Sequence, residues 1–198
     1  MNVLIGDIGN SITKICLIDK KKLKIIKIVY INSRDIVSKN ILKKKLKSII
    51  KMKLINKVAL FSSVVPKYYL LIKKILKKIY GIELKEIKDR NVKKIVKINI
   101  KNKKQVGSDR IANAVGVYKK YKANCIVLDF GTATTFDVVN KNGIYNGGII
   151  APGIKLSMKS LSKSADQIPI FSIKKQKKLL VKILLKLYAQ DFIGVILV

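Results

Sequence analysis

Three carboxylates stand where glycine and small hydroxylated residues crowd the chain: Asp7 in GDIGNSITK, Asp109 in VGSDR and Asp129 in DFGTATTFDVV. Around Asp7 and Asp129 an apolar run breaks at Asp-x-Gly and then resumes. A hairpin turn calls for Gly, Asn or Asp, but not for three threonines and an alanine beside the bend. Glycine lets backbone N–H groups approach a bound anion and hydroxyls donate further hydrogen bonds, so such a bend suits a phosphate chain. An Asp there repels phosphate unless a cation stands between them, either Mg²⁺ with its waters or a monovalent ion. Two such bends around one metal-bound polyphosphate make a coherent site. Two ordinary hairpin turns are the plainer alternative, and for Asp7 alone the better one.

Asp109 adds a different chemistry. It is expected just ahead of a helix whose dipole favours an anion, and Arg110 beside it can grip a carboxylate with two N–H groups. Phosphoryl transfer to an alcohol needs a base near the attacking hydroxyl, and otherwise positioning and charge stabilisation. Asp109 fits the base and Arg110 the holder of an acidic substrate. Judged on VGSDR alone, an N-capping Asp paired with a surface Arg is the simpler explanation.

The elements that must position these residues follow from hydrophobic spacing. MNVLIGDIGNSITKICLID predicts strand, turn and strand, and KLKIIKIVYI a third strand. SRDIVSKNILKKKLKSIIKM has helical spacing, with Ile36, Ile41, Leu42, Leu46, Ile49 and Ile50 as its apolar stripe. KVALFSSVV predicts a short strand ending at Ser62 and Ser63. A helix is expected to start at Pro66 and stop at Gly81, followed by a strand in IELKEIK. After a Lys- and Asn-rich connection, a turn and helix are expected over VGSDRIANAVGVYKKY, with Ile111, Val115 and Tyr118 on one side. The strand–turn–strand theme then returns in CIVLDFGTATTFDVVN, so Asp7 matches Asp129 and Gly9 matches Gly131. This repeat predicts a duplicated fold facing itself across a cleft. NGIYNGGIIAPG adds a turn at Asn142–Gly143, a strand and a glycine-rich exit.

Composition narrows the function classes. The chain of 198 residues is 49% apolar, ample for a core in one domain or two small ones, and carries a formal charge of +32. The Lys residues are spread from end to end among many Ile and Asn, and Arg occurs only at positions 34, 90 and 110. Lys, Ile and Asn share A/T-rich codons, so base-composition drift accounts for the charge. A nucleic-acid surface would show clustered Arg interleaved with aromatics, and that reading stands well behind. There is no His, which removes His-based triads, His general bases and His metal ligands. Cys16 and Cys125 sit in apolar strand patterns and read as core thiols of a reducing compartment. Asp7 follows too short an apolar run for a signal peptide, and no run approaches membrane-spanning length. A soluble, cytoplasmic protein is expected.

The four motifs GDIGNSITK, GSDRIANAVG, DFGTATTFDVV and GGIIAPG, in this order, closely resemble type III pantothenate kinase from Met1 to about Phe171. The resemblance implies an α/β, actin-like acetate-and-sugar-kinase fold of two ribonuclease-H-like halves, residues 1–118 and 119–198, with ATP in the cleft and a homodimeric assembly. It implies ATP-dependent phosphorylation of pantothenate to 4′-phosphopantothenate, the committed step toward coenzyme A, with Mg²⁺ on ATP and K⁺ or NH₄⁺ as monovalent cation. Carried over by position, Gly6, Asp7, Ile8, Gly9, Asn10, Ser11, Ile12 and Thr13 form the first phosphate loop, with Asp7 organising the cation. Gly107, Ser108, Asp109 and Arg110 contact pantothenate, with Asp109 accepting the proton. Asp129 holds the monovalent cation and Thr132 contacts ATP. Where the family often has a substrate-contacting Tyr, seven residues before Gly107, this chain has Ile100, which removes a hydroxyl.

Beyond Phe171 the family continues toward a Gly-Lys-Asn-Thr turn, an amphipathic helix and an SGxYWGY-like segment, whereas this chain reads KKQKKLLVKILLKLYAQDFIGVILV. On its face that is a Lys-rich terminal helix. Shifted back by one nucleotide, with suitable synonymous codons, Leu180 onward encodes Gly-Lys-Asn-Thr-Val-Glu-Ala-Ile-Cys-Ser-Gly-Phe-Tyr-Trp-Gly-Tyr-Ile-Gly. The expectation is therefore a frameshift in the A-run at Lys177–Lys178, an incomplete second half out of frame from about residue 179, and a substrate-contacting Thr replaced at Leu184. Such a chain would be unstable or weakly active. A non-catalytic nucleotide-binding relative is the alternative function, and a basic nucleic-acid binder a third.

Overall fold

The computed structural model describes residues 2–50, 55–89, 92–164 and 193–197. The chain divides into two compact units, residues 1–92 with 104–112, and residues 93–103 with 113–198.

The first unit is built on a five-stranded sheet. Strands β1 (Asn2–Ile8), β2 (Ile12–Asp19) and β3 (Lys24–Asn32) form an antiparallel meander, and β4 (Val58–Ser63) and β5 (Glu83–Glu86) add parallel to β1. The order is β3-β2-β1-β4-β5, the ribonuclease-H-like arrangement. Alternation sends Leu4, Ile8, Ile15, Leu17, Ala59 and Phe61 to one face, where helices α1 (Lys39–Ile50) and α2 (Pro66–Tyr80) bury them with Leu42, Leu46, Ile49, Ile72 and Leu76. Pro66 opens α2, and Gly81 closes it in the left-handed region at φ 61°, as expected.

The helix expected across residues 33–52 is broken. Ser33–Val37 form a 3-10 turn, Ser38 is extended, and α1 begins at Lys39. The Asn32 side chain accepts from the Arg34 amide and the Ser38 amide closes on Asp35 O, so local capping ends the first turn early. Within α1 itself Ile41 lies about 100° around the axis from Leu42 and is 40% exposed, whereas Leu42, Leu46 and Ile49 are buried.

Helix α3 (Ser108–Tyr121) begins in the first unit and ends in the second. Its buried side is Ile111, Ala114 and Val117 rather than Ile111, Val115 and Tyr118. Both sets are helical in period, and only tertiary contact decides between them.

The second unit repeats the meander with β7 (Cys125–Phe130), β8 (Ala133–Val139) and β9 (Ile144–Pro152), flanked by β6 (Lys97–Ile98) and β10 (Ile193–Leu197) in the order β10-β7-β8-β9-β6. Helix α4 (Ile154–Ser164) follows β9. β9 slips register against β8 near Gly147, whose φ of 96° excludes most side chains. Burial pushes the Cys125 thiol up, as befits a core position.

Where β4 lies parallel to β1 in the first unit, β10 lies antiparallel to β7 in the second. The Lys-rich terminal helix read from the sequence is thus a strand over Ile193–Leu197. Ile-Gly-Val-Ile-Leu is β-prone and meets the unpaired edge of β7. The rest of that stretch, Leu184 included, lies outside the described residues.

The phase of α1 makes a prediction. Leu46→Ala should cost about 2 to 5 kcal/mol as a buried truncation, and Ile41→Ala no more than roughly 0.5 kcal/mol. Urea unfolding midpoints would check this, and equal losses would put Ile41 back in the buried stripe.

Candidate active site

In the first unit the site is a row across the sheet. Register pairs Asp7 with Lys14 on β2 and with Ser62 on β4, and Lys14 with Tyr30 on β3. These four share the face opposite the helix-packed core, because their neighbours Ile8, Thr13, Ile31 and Phe61 are buried on the other. Ser62 Oγ donates to Asp7 Oδ1 at 2.6 Å, a short charge-assisted bond that fixes the carboxylate. A side chain at Gly6 could not be added, since a Cβ would lie 2.5 Å from the Phe61 ring.

The bend between β1 and β2 is closed by Gly9 N–H donating to Ile12 O at 3.2 Å. It is held from behind by Ser33, which is fully buried. Ser33 Oγ donates to Gly9 O at 2.7 Å, Ser33 N–H donates to Ser11 O at 2.9 Å, and Ser33 Oγ lies 2.9 Å from Thr13 Oγ1. Thr13 is therefore a buried part of the loop's scaffold, while Asn10, Ser11 and Ile12 are exposed at its tip. Beside that tip opens a cavity of about 520 Å³, with Asn10, Ser11 and Ile12 on one side and Tyr30, Asn32 and Arg34 on the other.

Asp109 lies inside the first turn of α3, not ahead of it, because the helix already begins at Ser108. Its Oδ1 accepts from the Arg110 amide at 2.8 Å. Ser108 is fully buried. Its hydroxyl accepts from Ser63 N–H at 2.7 Å and donates to Ser63 O at 2.7 Å. At Gly107 a Cβ would meet Asp109 Oδ1, so a side chain there would have to displace the Asp109 carboxylate. Asp7 and Asp109 are thus both tied to the end of β4, through the adjacent residues Ser62 and Ser63.

In the second unit Asp129 accepts from Asn113 Nδ2 of α3 at 3.1 Å and pairs in register with Thr135. Gly131 N–H donates to Ala133 O at 2.9 Å, and Gly153 N–H donates to Thr132 O at 3.2 Å. A Cβ on Gly153 would strike both Thr132 O and Gly131 O, so the GGIIAPG exit rests directly on the bend. Behind it, buried Asp137 accepts from Tyr145 Oη at 2.7 Å. Ile100 belongs to this unit, against Gly147 of β9, whereas Gly107–Arg110 belong to the first.

Lys14, Ser33, Ser62 and Asn113 are site neighbours that local reading misses. Lys14 closes GDIGNSITK and Ser62 stands near a strand end, but only strand order reveals what they face. Among the described residues no group of three or more His, Cys, Asp or Glu could hold a metal by itself. A cation here would need ligands from a bound molecule or water, as a nucleotide's phosphates supply. Asp7, with one carboxylate oxygen bonded to Ser62, fits such a shared site.

A family model described as type III pantothenate kinase matches residues 3–184. The chain is 47% identical over 178 residues to the type III pantothenate kinase of Pelagibacter ubique, covering 90% of this chain and 70% of that protein. It is 42% identical over 117 residues to that of Endomicrobium trichonymphae, covering 59% of this chain and 45% of that protein. Among solved structures it is similar to a conserved putative Baf family transcriptional activator from Campylobacter jejuni, at 21% identity and a TM-score of 0.47, covering 88% of this chain and 69% of that one.

The Gly153 contact is testable. Gly153→Ala should cost about 1 to 3 kcal/mol by overpacking against main-chain atoms that cannot yield cheaply. It should also move the amide resonances of Gly131 and Thr132. Unchanged melting and unchanged spectra would show that the exit does not rest on the bend.

Proposed function

This chain belongs to the type III pantothenate kinase family, and from that premise we propose how its own residues serve the ATP-dependent phosphorylation of pantothenate. The tip of the first loop, Gly9, Asn10, Ser11 and Ile12, offers main-chain N–H groups and a hydroxyl to the ATP phosphates. Gly6, Ile8 and Thr13 shape it from below, and Thr132 is assigned as an ATP contact. ATP is used with a divalent metal; we assign it as Mg²⁺, held by Asp7 together with the phosphates, where it offsets the charge that builds up on the transferring group.

Pantothenate is an alcohol and a carboxylate, and the start of α3 suits both. Arg110 pairs with the carboxylate, and Gly107 and Ser108 line the acceptor through their main chain. Asp109 accepts the proton as the acceptor oxygen bonds to the γ-phosphorus and the bond from that phosphorus to the β,γ-bridging oxygen breaks. Asp129, steadied by Asn113, takes the monovalent cation, K⁺ or NH₄⁺. Ile100 and Leu184 stand at positions where the family places substrate contacts. A homodimer working in the cytoplasm completes the reading. Among the described residues no helix is long and apolar enough to cross a membrane.

One observation carries this reading: Asp7 and the turn bearing Asp109 are anchored to adjacent residues of one strand end. The test is turnover of pantothenate with ATP, Mg²⁺ and K⁺ by the wild-type chain and by Asp109→Asn. The substitution should lower kcat about 10² to 10⁴-fold, the range of general-base catalysis, with ATP affinity unchanged. ATP binding without turnover by the wild type would favour a non-catalytic nucleotide binder instead.

A further inference from the structure

β5 ends at Glu86, opposite Phe61, so Ser62 and Ser63 extend past their outer neighbour in the sheet. Val64 N–H donates to Ile8 O of β1 at 3.1 Å. Main-chain groups alternate in direction along a strand, so those of Ser63 point to the side β5 has vacated. There the Ser108 hydroxyl takes both of them, at 2.7 Å each, as a neighbouring strand would. The side chain of Ser62, meanwhile, points across to Asp7 at 2.6 Å. Two successive residues thus anchor the two acidic positions, Ser62 by a side-chain bond to Asp7 itself and Ser63 by main-chain bonds to Ser108, the residue before Asp109.

We propose that this strand end is a gauge: Ser62 orients the Asp7 carboxylate toward the metal-bound nucleotide, and Ser108, gripping Ser63, sets Asp109 against the acceptor alcohol. Both serines are positioning residues. The proposal rests on the functional reading above and deepens it, since it assigns to each serine a separate ligand. Ser108 is fully buried with its donor and an acceptor lone pair spent on Ser63, so its hydroxyl acts through the helix start. Ser62 is 7% exposed, close enough to the surface for its partner Asp7 to meet a ligand.

Calorimetry on the full 198-residue chain tests the division of labour without depending on turnover. The probes are ADP in the presence of Mn²⁺, and pantothenate in the presence of a non-hydrolysable ATP analogue. Ser62→Ala should weaken Mn²⁺-dependent ADP binding about tenfold, the lower end for loss of a residue supporting a metal-binding carboxylate. It should leave pantothenate affinity within about twofold, and Ser62→Thr should restore the loss. Ser108→Ala should do the reverse, weakening pantothenate about tenfold and sparing ADP, since small misplacements of a reacting group are costly. If Ser108→Ala does not fold, Ser108→Cys, close in volume but a weak hydrogen-bonding partner, should show the same preference for pantothenate at smaller size. Equal weakening of both probes by either variant, or no weakening, overturns the gauge while the wild type still binds both. A wild-type chain that binds neither probe overturns the functional reading itself, and the gauge with it.

Discussion

A hydroxyl does the work of a strand at the carboxyl end of β4. The sheet of the first unit is one neighbour short there, and buried main-chain groups left unpaired would cost on the order of 1–3 kcal/mol each. Ser108 supplies both missing partners with a single side chain. The start of α3 is therefore fixed to the sheet by the same need for hydrogen-bond satisfaction that holds strands together. Asp7 and Asp109 are both tied to that junction. Asp109 lies one residue beyond the anchor, and Asp7 is bonded to the residue just before the anchored one.

The second unit solves a related problem by close approach. Its bend is shorter, with Phe130 pairing with Thr134 across Gly131, Thr132 and Ala133. It is buttressed by Gly153, where only a residue without Cβ lets the two backbones meet. Asp129 is steadied by an amide from α3 rather than by a hydroxyl from a neighbouring strand. On the far side of β7 the neighbour is β10, antiparallel, which gives this sheet a different topology from the first at the corresponding place.

What the sequence made legible was whatever depends on neighbours along the chain. Both Asp-x-Gly bends, the meanders around them, and the bounds of α2 at Pro66 and Gly81 follow from turn chemistry and period. Motif order was enough to name the family. Illegible were the features that depend on strand order. Ser62 meets Asp7 only because β1 and β4 are adjacent, and Ser108 meets Ser63 only because β5 is short. The break at Ser38 depends on Asn32 capping a turn inside an otherwise helical pattern. The stripe on α3 could not be settled because Val115 and Ala114 are both compatible with a 3.6-residue period. Thr13 illustrates the limit well: its type and place suit a phosphate loop, yet alternation turns its side chain inward to Ser33.

The loop between β1 and β2 has its shape imposed from behind by Ser33, through bonds to Gly9, Ser11 and Thr13 that involve no ligand. A loop already folded has little conformational entropy left to lose when an anion arrives. On the proposed reading, polyphosphate capture at this tip reduces to a one-step encounter whose speed is set by diffusion and by the attraction of a strongly cationic chain. Differences in affinity among polyphosphate ligands would show up in how long each stays, not in how fast it enters.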